Sequence, residues 1–140
     1  MKPEENKHED TAVLCGANAY EEKYYYNKFY DKVPESIKQE LNIICVLFTQ
    51  EVGGIFTISF DEDGQILLNT MADEEDITYD EISAGLLVSK IRRERKEMFE
   101  ALSLYYRVLV LKEDPAVLLE DGGAEAEAES ILANPNDSEG

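Results

Sequence analysis

Hydrophobic and polar positions change period several times along this chain, and each change marks an element. Ile55 to Phe60 alternates with period two, placing Phe56, Ile58 and Phe60 on one face and Thr57 and Ser59 on the other. Asp61-Glu62-Asp63-Gly64 reads as a turn, because a glycine there supplies the positive φ that tight hairpins need. Gln65 to Met71 then returns as a second strand, so 55–71 is predicted to be a hairpin.

Upstream, Pro34 and Glu35 suit the first turn of a helix: proline loses nothing there, and the carboxylate faces the positive end of the helix dipole. Ile37, Leu41, Ile44, Cys45 and Phe48 follow at helical spacing, and Gly53-Gly54 supplies a stop, so the spacing predicts a helix over 34–51. Ile43, Val46 and Leu47 widen its apolar stripe, which predicts burial nearly all round. A rival reading makes 43–49 a strand, because β-branched residues cluster there. Tyr20 to Tyr30 fits two periods. Tyr24 and Tyr26 against Tyr25 and Phe29 is a strand pattern, whereas Tyr26, Phe29, Tyr30 and Val33 form a helical stripe. Aromatic content leans towards strand. Ala12 to Cys15, ahead of Gly16, suits an edge strand or an ordered arm.

Thr78 and Glu81 have capping-box spacing, with Ile77 and Ile82 placed for a hydrophobic staple. The apolar stripe Leu87, Ile91, Met98, Leu102, Tyr105 and Leu109, widened by Phe99 and Tyr106, then predicts one helix over 78–111. Such a helix would be about 50 Å long. A domain of about one hundred residues cannot cover that length, so part of the rod is expected to meet another surface. Ile91, Met98, Leu102, Tyr105, Tyr106 and Leu109 are the candidate partner-binding residues. The fold class expected is α+β: a small antiparallel sheet, built on hairpin 55–71 with a candidate N-terminal strand, packed against helix 34–51 and the long helix.

Charge then divides the chain. The 140 residues carry 31 acids and 13 lysines and arginines, a formal net charge of −18. Residues 113–140 hold nine of those acids and no base, and 1–10 hold four acids and two bases. The organisation expected is a mobile arm 1–10, a single domain 11–112 and an acidic disordered tail 113–140. So acidic a chain is a poor direct partner for nucleic acid or an anionic membrane. The longest apolar run, Ile43 to Phe48, is six residues, far short of the roughly twenty that span a bilayer. No stretch resembles a signal peptide, and the two cysteines, Cys15 and Cys45, read as reduced core thiols, with a redox pair as the sharper alternative. A cytoplasmic location is expected.

Candidate chemistry is sparse. His8, the only histidine, lies in the N-terminal arm, so no catalytic triad or histidine-dependent metal centre is expected. Asp61 to Gly64 lacks the remaining ligands of a calcium loop and is better explained as a turn. The acidic run 61–81, nine acids without a base, leaves a weak divalent-cation site as a minor alternative. Lys90-Ile91-Arg92-Arg93-Glu94-Arg95-Lys96 puts five cations on the long helix. It suits a solvated face with Arg93–Glu97 and Lys96–Glu100 pairs, or a band that docks the acidic loop. No catalytic, cofactor or metal residue is assigned, and no enzyme activity is expected.

Several stretches together carry a resemblance: Val13-Leu14-Cys15-Gly16-Ala17-Asn18-Ala19-Tyr20-Glu21, Cys45-Val46-Leu47-Phe48-Thr49 with Val52-Gly53-Gly54-Ile55, Phe60-Asp61-Glu62-Asp63-Gly64, Tyr79-Asp80-Glu81-Ile82, and Phe99-Glu100-Ala101-Leu102 with Tyr105-Tyr106. The combination resembles a family of short, acidic, uncharacterised proteins from anaerobic Gram-positive bacteria, over about residues 12 to 112. The resemblance implies a bacterial cytoplasmic protein and transfers no site residue. The function expected is a non-enzymatic interaction module, pairing with a second copy or another protein. The alternative is an acidic inhibitor of a basic toxin or nuclease.

Overall fold

The computed structural model describes residues 11–114 and Ala116. Expectations for the 1–10 arm, and for the tail beyond Glu113, Asp114 and Ala116, lie outside the described residues. Four strands, β1 (Val13–Asn18), β2 (Lys23–Tyr26), β3 (Ile55–Phe60) and β4 (Ile66–Met71), form one antiparallel sheet in the order β2-β1-β3-β4. Among the described residues, three helices, α1 (Glu35–Val52), α2 (Glu81–Glu94) and α3 (Lys96–Leu109), complete an α+β fold.

The N-terminal patch is a strand but not an edge one: β1 lies between β2 and β3. The strand runs through Gly16. A Cβ there would stand 2.9 Å from the Phe56 carbonyl oxygen, so the missing side chain lets β1 and β3 close on each other. In the tyrosine-rich stretch both periods are used in turn. Lys23–Tyr26 is strand β2, and Lys28–Tyr30 is a 3-10 turn capped by Asn27, whose side-chain oxygen accepts from the Phe29 N–H at 2.8 Å. The turn swings Tyr30 into the core, where it is fully buried.

α1 confirms helix over strand for 43–49 and ends at Gly53, whose φ is 90°. Pro34 stands one position earlier than expected, at the N-cap. Ile43 and Leu47 are 46% and 55% exposed, so α1 is covered on one side only. The hairpin forms as expected. Asp61 turns the chain by accepting the Asp63 and Gln65 N–H groups at 2.8 and 2.9 Å. That use of its carboxylate accounts for an acid at position 61.

Two features of the last third differ from expectation. Asp80, not Thr78, caps α2, accepting from the Ile82 and Ser83 N–H groups at 3.0 and 3.2 Å. Thr78 instead bonds Asp76, and Ile77 and Ile82, 94% and 76% exposed, make no staple. A carboxylate is the stronger acceptor and sits two residues nearer the apolar stripe. More consequentially, the long helix is broken. Arg95, at φ −111° and ψ 26°, leaves the helical region and separates α2 from α3, each of 14 residues.

Neither glycine nor proline causes the break. The Arg95 N–H still reaches the Ile91 carbonyl, and its own carbonyl accepts from Phe99, both at 2.9 Å, so the bend sacrifices no hydrogen bond there. What it gains is coverage. α2 runs along α1, while α3 turns to meet β4 and buries Met98, Phe99, Ala101, Leu102, Leu104, Tyr105 and Tyr106. Burial yields about 25 cal/mol per Å² of apolar area, so a few side chains outweigh one off-helix residue.

Ring contacts join the layers: Phe48 stacks on Phe56 at 4.3 Å between centroids, and Phe60 on Tyr106 at 4.4 Å.

Candidate interaction surface

Period-two geometry divides the sheet into two faces. Cys15, Ala17, Tyr24, Tyr26, Phe56, Ile58, Phe60 and Ile66 point towards the helices, by their register and burial. The ring stacks to α1 and α3 and the thiol contact to α1 all use this side.

The opposite face falls into rows set by the same register. Lys23, Asn18, Ile55 and Met71 form one row across the four strands, and Tyr25, Gly16, Thr57 and Asn69 the next. Val13, Ser59 and Leu67 form a third, with a β-bulge between Val13 and Cys15. These eleven positions hold one charge, Lys23, and no acid. With 31% of the chain charged, an even draw would put about three charges there. Met71 is 61% exposed and Tyr25 52%, and Ile55 and Thr57 are half-buried.

Acids stand instead where strands end. Glu21 and Glu22 lie in the β1–β2 turn, Glu62 and Asp63 in the β3–β4 turn, and Asp73 to Asp76 follow β4. The last group is locally ordered: the Tyr20 hydroxyl donates to Asp76 at 2.6 Å and accepts the Asp73 N–H at 2.9 Å. The Thr78 hydroxyl, and after it that of Tyr20, hold the Asp76 carboxyl below its ordinary pKa; the Ser83 hydroxyl does the same for Asp80. An uncharged centre with a charged rim is the usual anatomy of a protein interface.

The residues expected to bind a partner are brought together, but in the core. Ile91 is 9% exposed, Met98 8%, Tyr105 6%, Tyr106 7% and Leu102 not at all; Leu109 is half-buried against the same cluster. Their stripe is therefore spent on this chain's own sheet and helices. The signal that would have found the outer face was present in β3 and β4: Thr57, Ser59 and Asn69, neutral side chains in a chain otherwise crowded with acids.

The basic band is partly engaged. Arg95 Nη2 lies 3.0 Å from Glu40 Oε1, close enough for an ion pair though not aligned as a hydrogen bond, and Arg92 donates to the Ile66 carbonyl at 3.3 Å. Among the described residues, Arg93–Glu97 and Lys96–Glu100 form no ion pair, nor does the band meet the acidic loop. A cleft of about 630 Å³ opens at this elbow, where Arg93, Arg95 and Lys96 face Glu40, Glu94 and Glu97 in equal number. Among the described residues no three metal-binding side chains stand together, and no helix is long and apolar enough to cross a membrane.

The molecule is thus an α+β domain with helices on one side of its sheet and, on the other, a face whose one charge is Lys23. A family model described as a family of unknown function (DUF6145) matches residues 11–114, and the chain belongs to that family. No curated protein and no solved structure matches it.

Proposed function

We propose that this domain is a non-enzymatic interaction module that pairs with a second copy of itself through the outer face of its sheet. The observation that carries the reading is the chemistry of that face: eleven positions, one lysine, no acid, and exposed Met71, Tyr25 and Leu67. Tyrosine and methionine are favoured, and charge disfavoured, at interface centres. A basic partner would meet acids only at the rim, and nucleic acid would meet one cation. A neutral face is best matched by another neutral face, and the chain's own is one. The acidic-inhibitor alternative has no comparable feature in its favour. Two buried free thiols suit a reducing compartment such as the cytoplasm.

Four strands about 4.8 Å apart, three of six residues and one of four, give a plan area of roughly 350 Å². A standard interface uses about 800 Å² per partner, so the dimer is weak and concentration-dependent. Its salt response is diagnostic. Copies at −18 repel, and salt shortens the reach of that repulsion from about 10 Å at 0.1 M to about 3 Å at 1 M. Association therefore strengthens with salt, whereas a complex with a basic protein weakens. Sedimentation equilibrium at tens to hundreds of micromolar should show a mass rising towards twice 15.9 kDa as salt increases, and Met71→Glu should hold it at one. A strict monomer across that range defeats the reading.

A further inference from the structure

The helix and sheet layers meet at a pair of thiols. Cys15 on β1 and Cys45 on α1 are fully buried and free, and their Sγ atoms stand 3.8 Å apart across 30 residues of chain. That is a hydrogen-bond contact between sulfurs; a disulfide needs them at about 2.05 Å. Two observations bear on whether the gap can close. β1 is bulged between Val13 and Cys15, an irregularity that lets the strand shift next to the sulfur. The Tyr24 hydroxyl, buried and with no well-aligned hydrogen bond, adjoins the thiols and lies close enough to Cys15 to interact with it: burial first, and then both cysteines, oppose its ionisation. A hydroxyl so weakly engaged at this joint can hydrogen-bond an oxygen carried by sulfur.

We infer that Cys15 and Cys45 are a reversible oxidation site, which a small hydroperoxide such as hydrogen peroxide converts to an intramolecular disulfide stapling β1 to α1. One thiol, as its thiolate, attacks the peroxide; the O–O bond breaks, one oxygen stays as a sulfenic acid and the other leaves as water. The second sulfur displaces the sulfenic oxygen as water and the S–S bond forms. Two thiols thereby lose two protons and two electrons, and one peroxide becomes two waters. A thiol reductant returns the pair. The hydrogen bond to Cys15 and burial hold the Cys45 thiol protonated, so the reaction waits on local opening. β2, an edge strand of four residues that carries Tyr24 and Tyr26 beside the pair, is the element whose opening gives access. This inference does not depend on self-association through the outer face.

The full chain is exposed to hydrogen peroxide at neutral pH without denaturant, then followed by intact mass, thiol titration and peptide mapping. The expected product has lost both titratable thiols and two hydrogens of mass, contains a Cys15–Cys45 peptide within one chain, and reverts with dithiothreitol. Its Tm should rise by on the order of 10 °C. Cys45→Ala should leave Cys15 as a sulfenic acid that dimedone traps, with no cross-link. Over-oxidation to sulfinic acid, a cross-link between chains, or two thiols surviving a dose that oxidises the urea-unfolded chain would each overturn the proposal.

Discussion

The two faces of the sheet are made by the same four strands, yet they are different materials. The inner face is packed with Phe56, Ile58, Phe60, Tyr24 and Tyr26 under α1 and α3. The outer face, one residue away at every point, carries Thr57, Ser59, Asn69 and scattered apolar side chains with no described helix above them. Inner positions hold the fold together, whereas the outer positions are nearly uncharged and only partly covered: Ser59 is buried and Val13, Ile55 and Thr57 are half-buried, while Tyr25, Leu67, Asn69 and Met71 stay exposed. Stability should therefore reside on one side and association on the other.

The largest test is on the inner side. Leu102→Glu buries an unpaired charge at a fully enclosed position and should unfold the domain, lost by 4 kcal/mol or about that. Phe56→Ala should cost about 3–5 kcal/mol, read by urea denaturation. If Leu102→Glu instead left a folded monomer, α3 would be a surface helix and the division between faces would be wrong.

Next comes Gly54→Ala. Gly54 has φ 73°, and a Cβ would stand 2.5 Å from the Met71 carbonyl oxygen where the two strands of the hairpin close. Strain and clash together should cost about 2 kcal/mol.

Alkali tests the inner tyrosines together. Burial raises the phenol pKa of Tyr24, Tyr26, Tyr30 and Tyr105. A raised folded-state pKa contributes stability that is fully present below the unfolded value near pH 10. It declines above that pH because the unfolded chain ionises first. Midpoints of urea denaturation should hold to about pH 9 and then fall, with tyrosinate absorbance appearing only as the protein unfolds.

Smaller again is the cap: Asp80→Ala should cost about 1 kcal/mol, and Thr78→Ala close to nothing, since Thr78 bonds Asp76 rather than the helix. Smallest in stability is Met71→Glu, within about 0.5 kcal/mol on the open face, although it should abolish the salt-promoted dimer. A Met71→Glu protein as destabilised as Phe56→Ala would show that the outer face is structural.

Much of this was legible locally. The alternation of Ile55 to Phe60, the glycine of its turn and the stripe from Ile37 to Phe48 each point to their element without help from elsewhere. The place of β1 inside the sheet is not legible from Ala12 to Cys15, because it depends on the approach of β3 at Gly16, forty residues away in sequence. Thr78 misleads as a cap, because Asp76 competes for its hydroxyl. The partner-binding residues mislead most. Met98, Leu102 and Tyr105 are apolar at helical spacing either way, and spacing does not say which surface they face.

By itself, then, the amino-acid pattern determined the hairpin 55–71, the helix after Pro34 and the α+β class, since these depend on neighbours within a few residues. The strand order, the bend at Arg95 and the choice of covered face were decided only in three dimensions. They depend on how much apolar area each arrangement removes from water, and that sum runs over residues far apart in the chain.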